Sequence, residues 1–243
     1  TLVCAWDVCL MPENDHRHPQ RTLDEQGFHP NPRTEFVELG VTSCFSFLHG
    51  ASDAVDLTAT AWAQGYDALG IADLNTMAGI VRLHTEARKA QIRPVIGCRI
   101  QLISGEAMLA YPSDRAAYGR LCQLLSKGKM HDVQGNWQAK GACDITLDDL
   151  AAHADGVQLI ALPGEDLRAF AANLPRLIRA LPSLRHIAAS YLYRGDDRAR
   201  INRLDKLADT HGLSILATND VHYHAPERRP LPLAPTTLCR CRR

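Results

Sequence analysis

Residues 212–224 read Gly-Leu-Ser-Ile-Leu-Ala-Thr-Asn-Asp-Val-His-Tyr-His, an apolar run that delivers Asp220, His222 and His224 at alternate positions. In an extended chain, residues two apart point to the same side. One carboxylate and two imidazoles would then face one spot just past a buried strand. In α/β folds that end of the strands is where sites are built. An Asp-x-His-x-His array suits Zn, Mn or Fe, whose usual ligands are imidazole nitrogen and carboxylate oxygen. The competing reading has Asp220 capping a turn and the histidines bonded to backbone groups. Partner ligands elsewhere in the chain have to decide between them.

Working back from this stretch, strand and helix patterns alternate. Short apolar runs predict strands at Phe36–Val41, Tyr66–Ala72, Pro94–Ile100, Glu106–Tyr111, Val157–Leu162, Leu184–Ser190 and Leu213–Ala217. The turn Ser104-Gly105 predicts that the third and fourth form a hairpin. Helices are expected over Ala54–Gln64, capped by Ser52-Asp53, over Thr76–Ala90 with Met77, Ile80, Val81 and Ala87 on one face, and over Arg115–Ser126. A polar insert is expected at Lys127–Asp144, then a short helix from the capping box at Thr146 to His153. Further helices are expected over Leu167–Leu181, interrupted near Pro175, and over Asp196–His211. This alternation argues a parallel sheet or a closed barrel.

The ends have a different composition. Residues 1–34 carry Pro12, Pro19, Pro30 and Pro32 with little periodicity and are expected to be an unstructured leader. Cys4, Cys9, His16 and His18 fit no zinc-finger spacing. Residues 226–243 are expected to be a disordered Pro/Arg tail, and Cys239-x-Cys241 is too isolated for a zinc half-site. The eight cysteines include no C-x-x-C pair and read as reduced thiols of a cytoplasmic protein. With 27 basic and 27 acidic residues, no net field draws the chain to nucleic acid or to anionic lipid. No apolar run is long enough to span a bilayer.

The strand-end candidates are Gly40, Thr42 and Ser43 after the first strand, Asp73 and Asn75 after the second, Arg99 at the third, and Asp220 with His222 after the last. Only Asp73, Asp220 and His222 are good metal donors among them, and Arg99 would repel a cation.

From Glu38 to Leu231 the chain resembles the polymerase and histidinol phosphatase (PHP) domain. It is most similar to the version at the N-terminus of bacterial error-prone DNA polymerases, paralogues of the DNA polymerase III alpha subunit. The resemblance is carried by Val41–Ser52 (VTSCFSFLHGAS), Gly70–Arg82 (GIADLNTMAGIVR), Leu109–Cys122 (LAYPSDRAAYGRLC), Tyr191–Asp197 (YLYRGDD) and Ala217–His224 (ATNDVHYH). It implies a distorted (β/α)7 barrel over residues 35–225, whose active members hold up to three metals and hydrolyse phosphoesters. The family's His-x-His falls here on Gly40 and Thr42. Its Asp-His falls on Asp73-Leu74, its Glu on Arg99, and its final Asp-x-His on Asp220 and His222. His131 is the candidate for a middle histidine in a region that does not align.

With Gly40, Thr42, Leu74 and Arg99 degenerate, the resemblance implies a non-catalytic scaffold with no metal. The alternative is a phosphoesterase or 3′–5′ exonuclease holding a single Zn or Mn ion on Asp73, Asp220 and His222, with His224 as a further candidate. The partners implied are the remainder of a polymerase chain, DNA, and accessory damage-tolerance proteins. The polymerase palm lies outside this chain, and loss of resemblance after Leu231 is expected to mark a truncated or frame-shifted end.

Overall fold

The computed structural model describes residues 33–228. The expected leader, apart from Arg33 and Thr34, lies outside the described residues, as does the tail beyond Arg228. Seven strands form one curled sheet in chain order: β1 (Glu38–Val41), β2 (Ala68–Leu74), β3 (Arg93–Gln101), β4 (Ala107–Pro112), β5 (Val157–Leu162), β6 (Leu184–Ala189) and β7 (Ser214–Ala217). Six α-helices accompany them: α1 (Ala54–Ala63), α2 (Ile80–Lys89), α3 (Arg115–Met130), α4 (Leu147–His153), α5 (Leu167–Ala180) and α6 (Asp197–His211). A 3-10 turn follows at Pro226–Arg228.

The sheet is mixed, where the alternation alone argued for all-parallel. β3 and β4 form the expected hairpin, and β4 is also antiparallel to β5, while every other pair is parallel. Packed on the outer face, Ile100, Met108, Leu121, Leu159, Leu174 and Ile187 are fully buried and belong to the largest core cluster. A smaller inner cluster of Ala72, Leu109, Tyr111, Ile160 and Ala188 fills the concave side. The Tyr111 ring lies over the third strand, where a Cβ on Gly97 would come within 2.4 Å of it. Only a glycine allows that approach. Its hydroxyl donates to the Leu39 carbonyl and so ties β4 to β1 across the interior.

No ladder joins β1 to β7 among the described residues. The seam is bridged by Glu38, which is buried inside an otherwise apolar strand. Its carboxylate accepts from Gly40 N at 2.6 Å, from Asn219 N at 2.7 Å and from the Thr218 hydroxyl. Two backbone bonds reinforce the seam, Thr42 N to the Val221 carbonyl at 2.8 Å and Ala51 N to the His222 carbonyl at 2.9 Å. A buried carboxylate with several donors is well satisfied, and removing it would strand all of them.

Four local expectations change. The second helix begins at Ile80 rather than Thr76, because the Thr76 hydroxyl accepts from Ala78 N and holds a turn instead. On that helix Val81 faces solvent, while Ile80, Leu83 and Ala87 face inward. α3 runs on to Met130, into the stretch expected as a polar insert; Leu124, Leu125 and Gly128 are buried and carry it there. Pro175 does not interrupt α5: the buried face of Phe170, Leu174 and Leu177 keeps one continuous helix through it. Tertiary packing outweighs the ~3 kcal/mol local cost of an interior proline. The capping box at Thr146 is present in both directions, with Asp149 in the Glu position.

Candidate active site

The parallel strands end at one mouth, and the candidate residues sit around it, though not as the alternation predicted. Strand geometry stops at Ala217, and Asp220 is in the left-handed region at φ 51°. Residues 218–224 are therefore a bent loop, and alternate side chains do not share a side. His224 turns away from the mouth: its Nδ1 lies 2.8 Å from the Ser52 hydroxyl, which also accepts from His224 N at 2.9 Å.

Asp220 and His222 do meet, with Nε2 3.5 Å from Oδ2. His222 Nδ1 is 3.1 Å from the His49 carbonyl, a contact that needs the proton on Nδ1. His49 was not singled out from the sequence; its ring is held below its ordinary pKa by partial burial and by the neighbouring His222 and Arg99. The other carboxylate oxygen of Asp220 accepts from the Arg99 guanidinium. Burial pushes the Asp220 carboxyl up, but the His222 contact and the Arg99 charge outweigh it and hold it at about 2.

Asp220 is depressed below an ordinary 3.8, so its stabilisation is complete above that value and is lost as pH falls through about 2. The stability gap between wild type and Asp220→Asn is expected to shrink from about pH 4 down to about pH 2. A gap that stays constant in urea melts across that range would show that the ionised form contributes nothing.

Asp73 is elsewhere in the corner and fully engaged. Oδ1 accepts from Ser43 N at 2.7 Å and the Ser46 hydroxyl at 2.7 Å, and Oδ2 accepts from the Ser43 hydroxyl at 2.8 Å. Burial dominates and raises its pKa, against the opposing serine bonds and the Arg99 charge. Asp73 and Asp220 share no hydrogen-bond partner. Leu74, beside Arg99 in register, uses its N–H to bond the Ser46 hydroxyl at 2.8 Å. Asn75 clamps the same strand end to β3 through Arg99 O and Gln101 N.

At the His-x-His positions there is no room for the first histidine. A Cβ at Gly40 would lie 2.5 Å from the Thr218 hydroxyl oxygen, 3.1 Å from Glu38 Oε1 and 3.2 Å from Asp220 Cα. Thr42 is buried and its hydroxyl lacks a partner. His131 lies far along the chain at the end of α3, bridged to Trp137 and stacked on its ring. Beside Asp220 and Arg99 a cleft of about 550 Å³ opens, walled by Leu162, Phe170, Ser190, Leu192 and Arg200.

A family model for the PHP domain matches residues 38–194. This chain belongs to the PHP domain family. Among curated relatives, the error-prone DNA polymerase of Caulobacter vibrioides is 42% identical over 198 residues, covering 81% of this chain and 18% of that protein. The error-prone DNA polymerase of Bradyrhizobium diazoefficiens is 44% identical over 203 residues, with the same 81% and 18% coverage. The chain thus spans about a fifth of the length of these relatives. Among solved structures, a protein assigned as a metal-dependent phosphoesterase from Bifidobacterium adolescentis matches with a TM-score of 0.59 at 15% identity, covering 79% of this chain and 89% of that one. That likeness shows the PHP fold alone.

The residues at this PHP mouth do not fit a multinuclear centre. A hydrolytic metal takes three or more protein ligands and keeps an open position for water. Here one carboxylate is saturated by serines and the other is paired with a guanidinium. No group of three or more His, Cys, Asp or Glu side chains suited to a metal is gathered among the described residues. No described helix is long and apolar enough to cross a membrane.

Proposed function

We propose that this chain is the N-terminal PHP domain of an error-prone, translesion-type DNA polymerase, and that the domain is a non-catalytic scaffold whose metal site has been lost. The remainder of the polymerase, supplying DNA-directed synthesis during damage tolerance, is its partner, with DNA and accessory damage-tolerance proteins bound by the whole assembly in the cytoplasm. The observation that carries the reading is the Arg99–Asp220 pair. A guanidinium standing on one of the two surviving carboxylates supplies the positive charge that a cation would otherwise bring, and it repels a second one. The closed space at Gly40 and the serine-bound Asp73 support the same conclusion.

The test is elemental analysis of the purified chain after dialysis, together with hydrolysis of bis-p-nitrophenyl phosphate in added manganese. The expected result is metal well below one equivalent and no turnover above background. One equivalent of zinc or manganese retained through dialysis would overturn it.

A second reading, a phosphoesterase or 3′–5′ exonuclease with a reduced site, is favoured by one contact. A backbone carbonyl fixing Nδ1 while Nε2 faces a carboxylate is how metal-bound histidines are oriented, and His222 has that arrangement. In that case Asp220 and His222 would hold the ion. Hydrolysis unchanged in Asp220→Ala would eliminate this reading.

A further inference from the structure

Two loops at the mouth present apolar side chains to solvent in a way that the proposed scaffold leaves unexplained. In the loop after β1, Phe47 is 68% exposed and Leu48 is also exposed. In the loop after β6, Tyr193 is 89% exposed, with Tyr191 and Leu192 beside it. The two loops flank the 218–224 segment: the first touches His222 through His49, and Leu192 shares a cleft with Asp220.

Neither loop is loosely held. The first is tied to Asp73 through Ser43 and Ser46. The second is tied to Asp197, whose carboxylate accepts from Leu192 N at 2.9 Å and Arg194 N at 2.7 Å. Tyr191 and Tyr193 meet edge-to-face at 5.1 Å. Leu48 and Tyr193 are also left-handed, at φ 63° and 57°. Bulky side chains rarely take that conformation, and such strain persists where a function holds it. In both places the strain coincides with an apolar side chain in water.

We infer that these two loops are a preformed docking surface for the remainder of the polymerase chain, which they would meet through Phe47, Leu48, Tyr191 and Tyr193. The inference rests on the polymerase-domain reading above. The relatives carry roughly four-fifths of their length beyond the matched part, since the match covers 18% of them. Nucleic acid is disfavoured because three of the nearby cations are already engaged and leave few charges for phosphate: Arg99 is held by Asp220, Arg194 by Glu165, and Arg200 by the carbonyls of Gly164 and Glu165. Rigid aromatics beside mostly paired charges suit a protein surface, where such side chains anchor interfaces.

The experiment compares the isolated 243-residue chain with a full-length chimera in which its residues 38–228 replace the matching segment of the Caulobacter vibrioides polymerase. Hydroxyl-radical footprinting reads side-chain exposure directly. Oxidation of Phe47 and Tyr193 is expected to fall severalfold in the chimera. Tyr193→Asn keeps the left-handed backbone, which asparagine tolerates, and is expected to lower the Tm of the chimera while leaving or raising that of the isolated chain. Equal oxidation in both proteins would overturn the docking surface while leaving the polymerase reading intact. A chimera that neither folds nor synthesises DNA would defeat that reading itself. Protection of Tyr193 in the isolated chain by a single-stranded oligonucleotide, or by raising protein concentration alone, would replace the proposed occupant with DNA or with a second copy.

Discussion

Replacing Gly40 with histidine is expected to disrupt the mouth rather than rebuild a metal ligand. The family's first motif invites the substitution, because Gly40 stands where its first histidine would be. The space is already taken: a Cβ alone would sit 2.5 Å from the Thr218 hydroxyl oxygen and 3.2 Å from the Asp220 backbone. The hydroxyl can move only by giving up its bond to Glu38, and the Asp220 backbone is fixed by its own turn. Overpacking of this kind costs ~1–3 kcal/mol. Loss of the Glu38 acceptor from two or three donors adds ~1–3 kcal/mol for each group left buried and unpaired. Gly40→His is therefore expected to lose about 3 kcal/mol or more, and Gly40→Ala about 1–3 kcal/mol, in urea unfolding. A histidine variant of wild-type stability that gained a tightly bound metal would show that the site had only been switched off.

The architecture was readable from the sequence because the signal for each element is local. Seven apolar runs and the Ser104-Gly105 turn give all seven strands and the β3–β4 hairpin. The direction of β4 against β5 was not readable, since periodicity says which face is buried and nothing about which way a strand runs. The site was legible by residue type but not by geometry. Asp220 and His222 are together as expected, yet a left-handed Asp220 breaks the alternation on which the grouping with His224 relied. An aspartate tolerates that conformation, so the residue itself gave no warning.

Glu38 was missed for a related reason. An acid inside a short strand is ordinarily read as facing water, and only its position in the apolar run Phe36–Val41 hinted otherwise. The roles of Ser43 and Ser46 depend on a contact with Asp73 some thirty residues away, which no window of sequence contains.

Asp73 offers the sharpest separation of a structural carboxylate from a ligand. As a ligand, Asp73→Asn and Asp73→Ala would both abolish whatever the ion does. As the structure has it, the two should differ widely. An asparagine oxygen in the place of Oδ1 still accepts from Ser43 N and Ser46, and its amide can donate to Ser43, whose hydroxyl is free to turn. Asp73→Asn is expected to stay within about 1 kcal/mol of wild type. Alanine strands the buried Ser43 N–H and loosens Ser46, whose oxygen also receives Leu74 N at 2.8 Å. The loss then runs from the β1 loop into the end of β2, and about 3 kcal/mol is expected. The acid dependence supplies an independent check. Asp73 is raised in the folded state, so its stabilising contribution is present below its unfolded value near 3.8 and is lost as pH rises through the folded value. That is opposite in sign to Asp220, and wild-type stability in mild acid is the balance of the two. Asp73→Asn removes one side of it, so its stability should fall more steeply with acid than that of wild type. Parallel pH profiles for the two proteins would mean that Asp73 titrates no differently folded than unfolded.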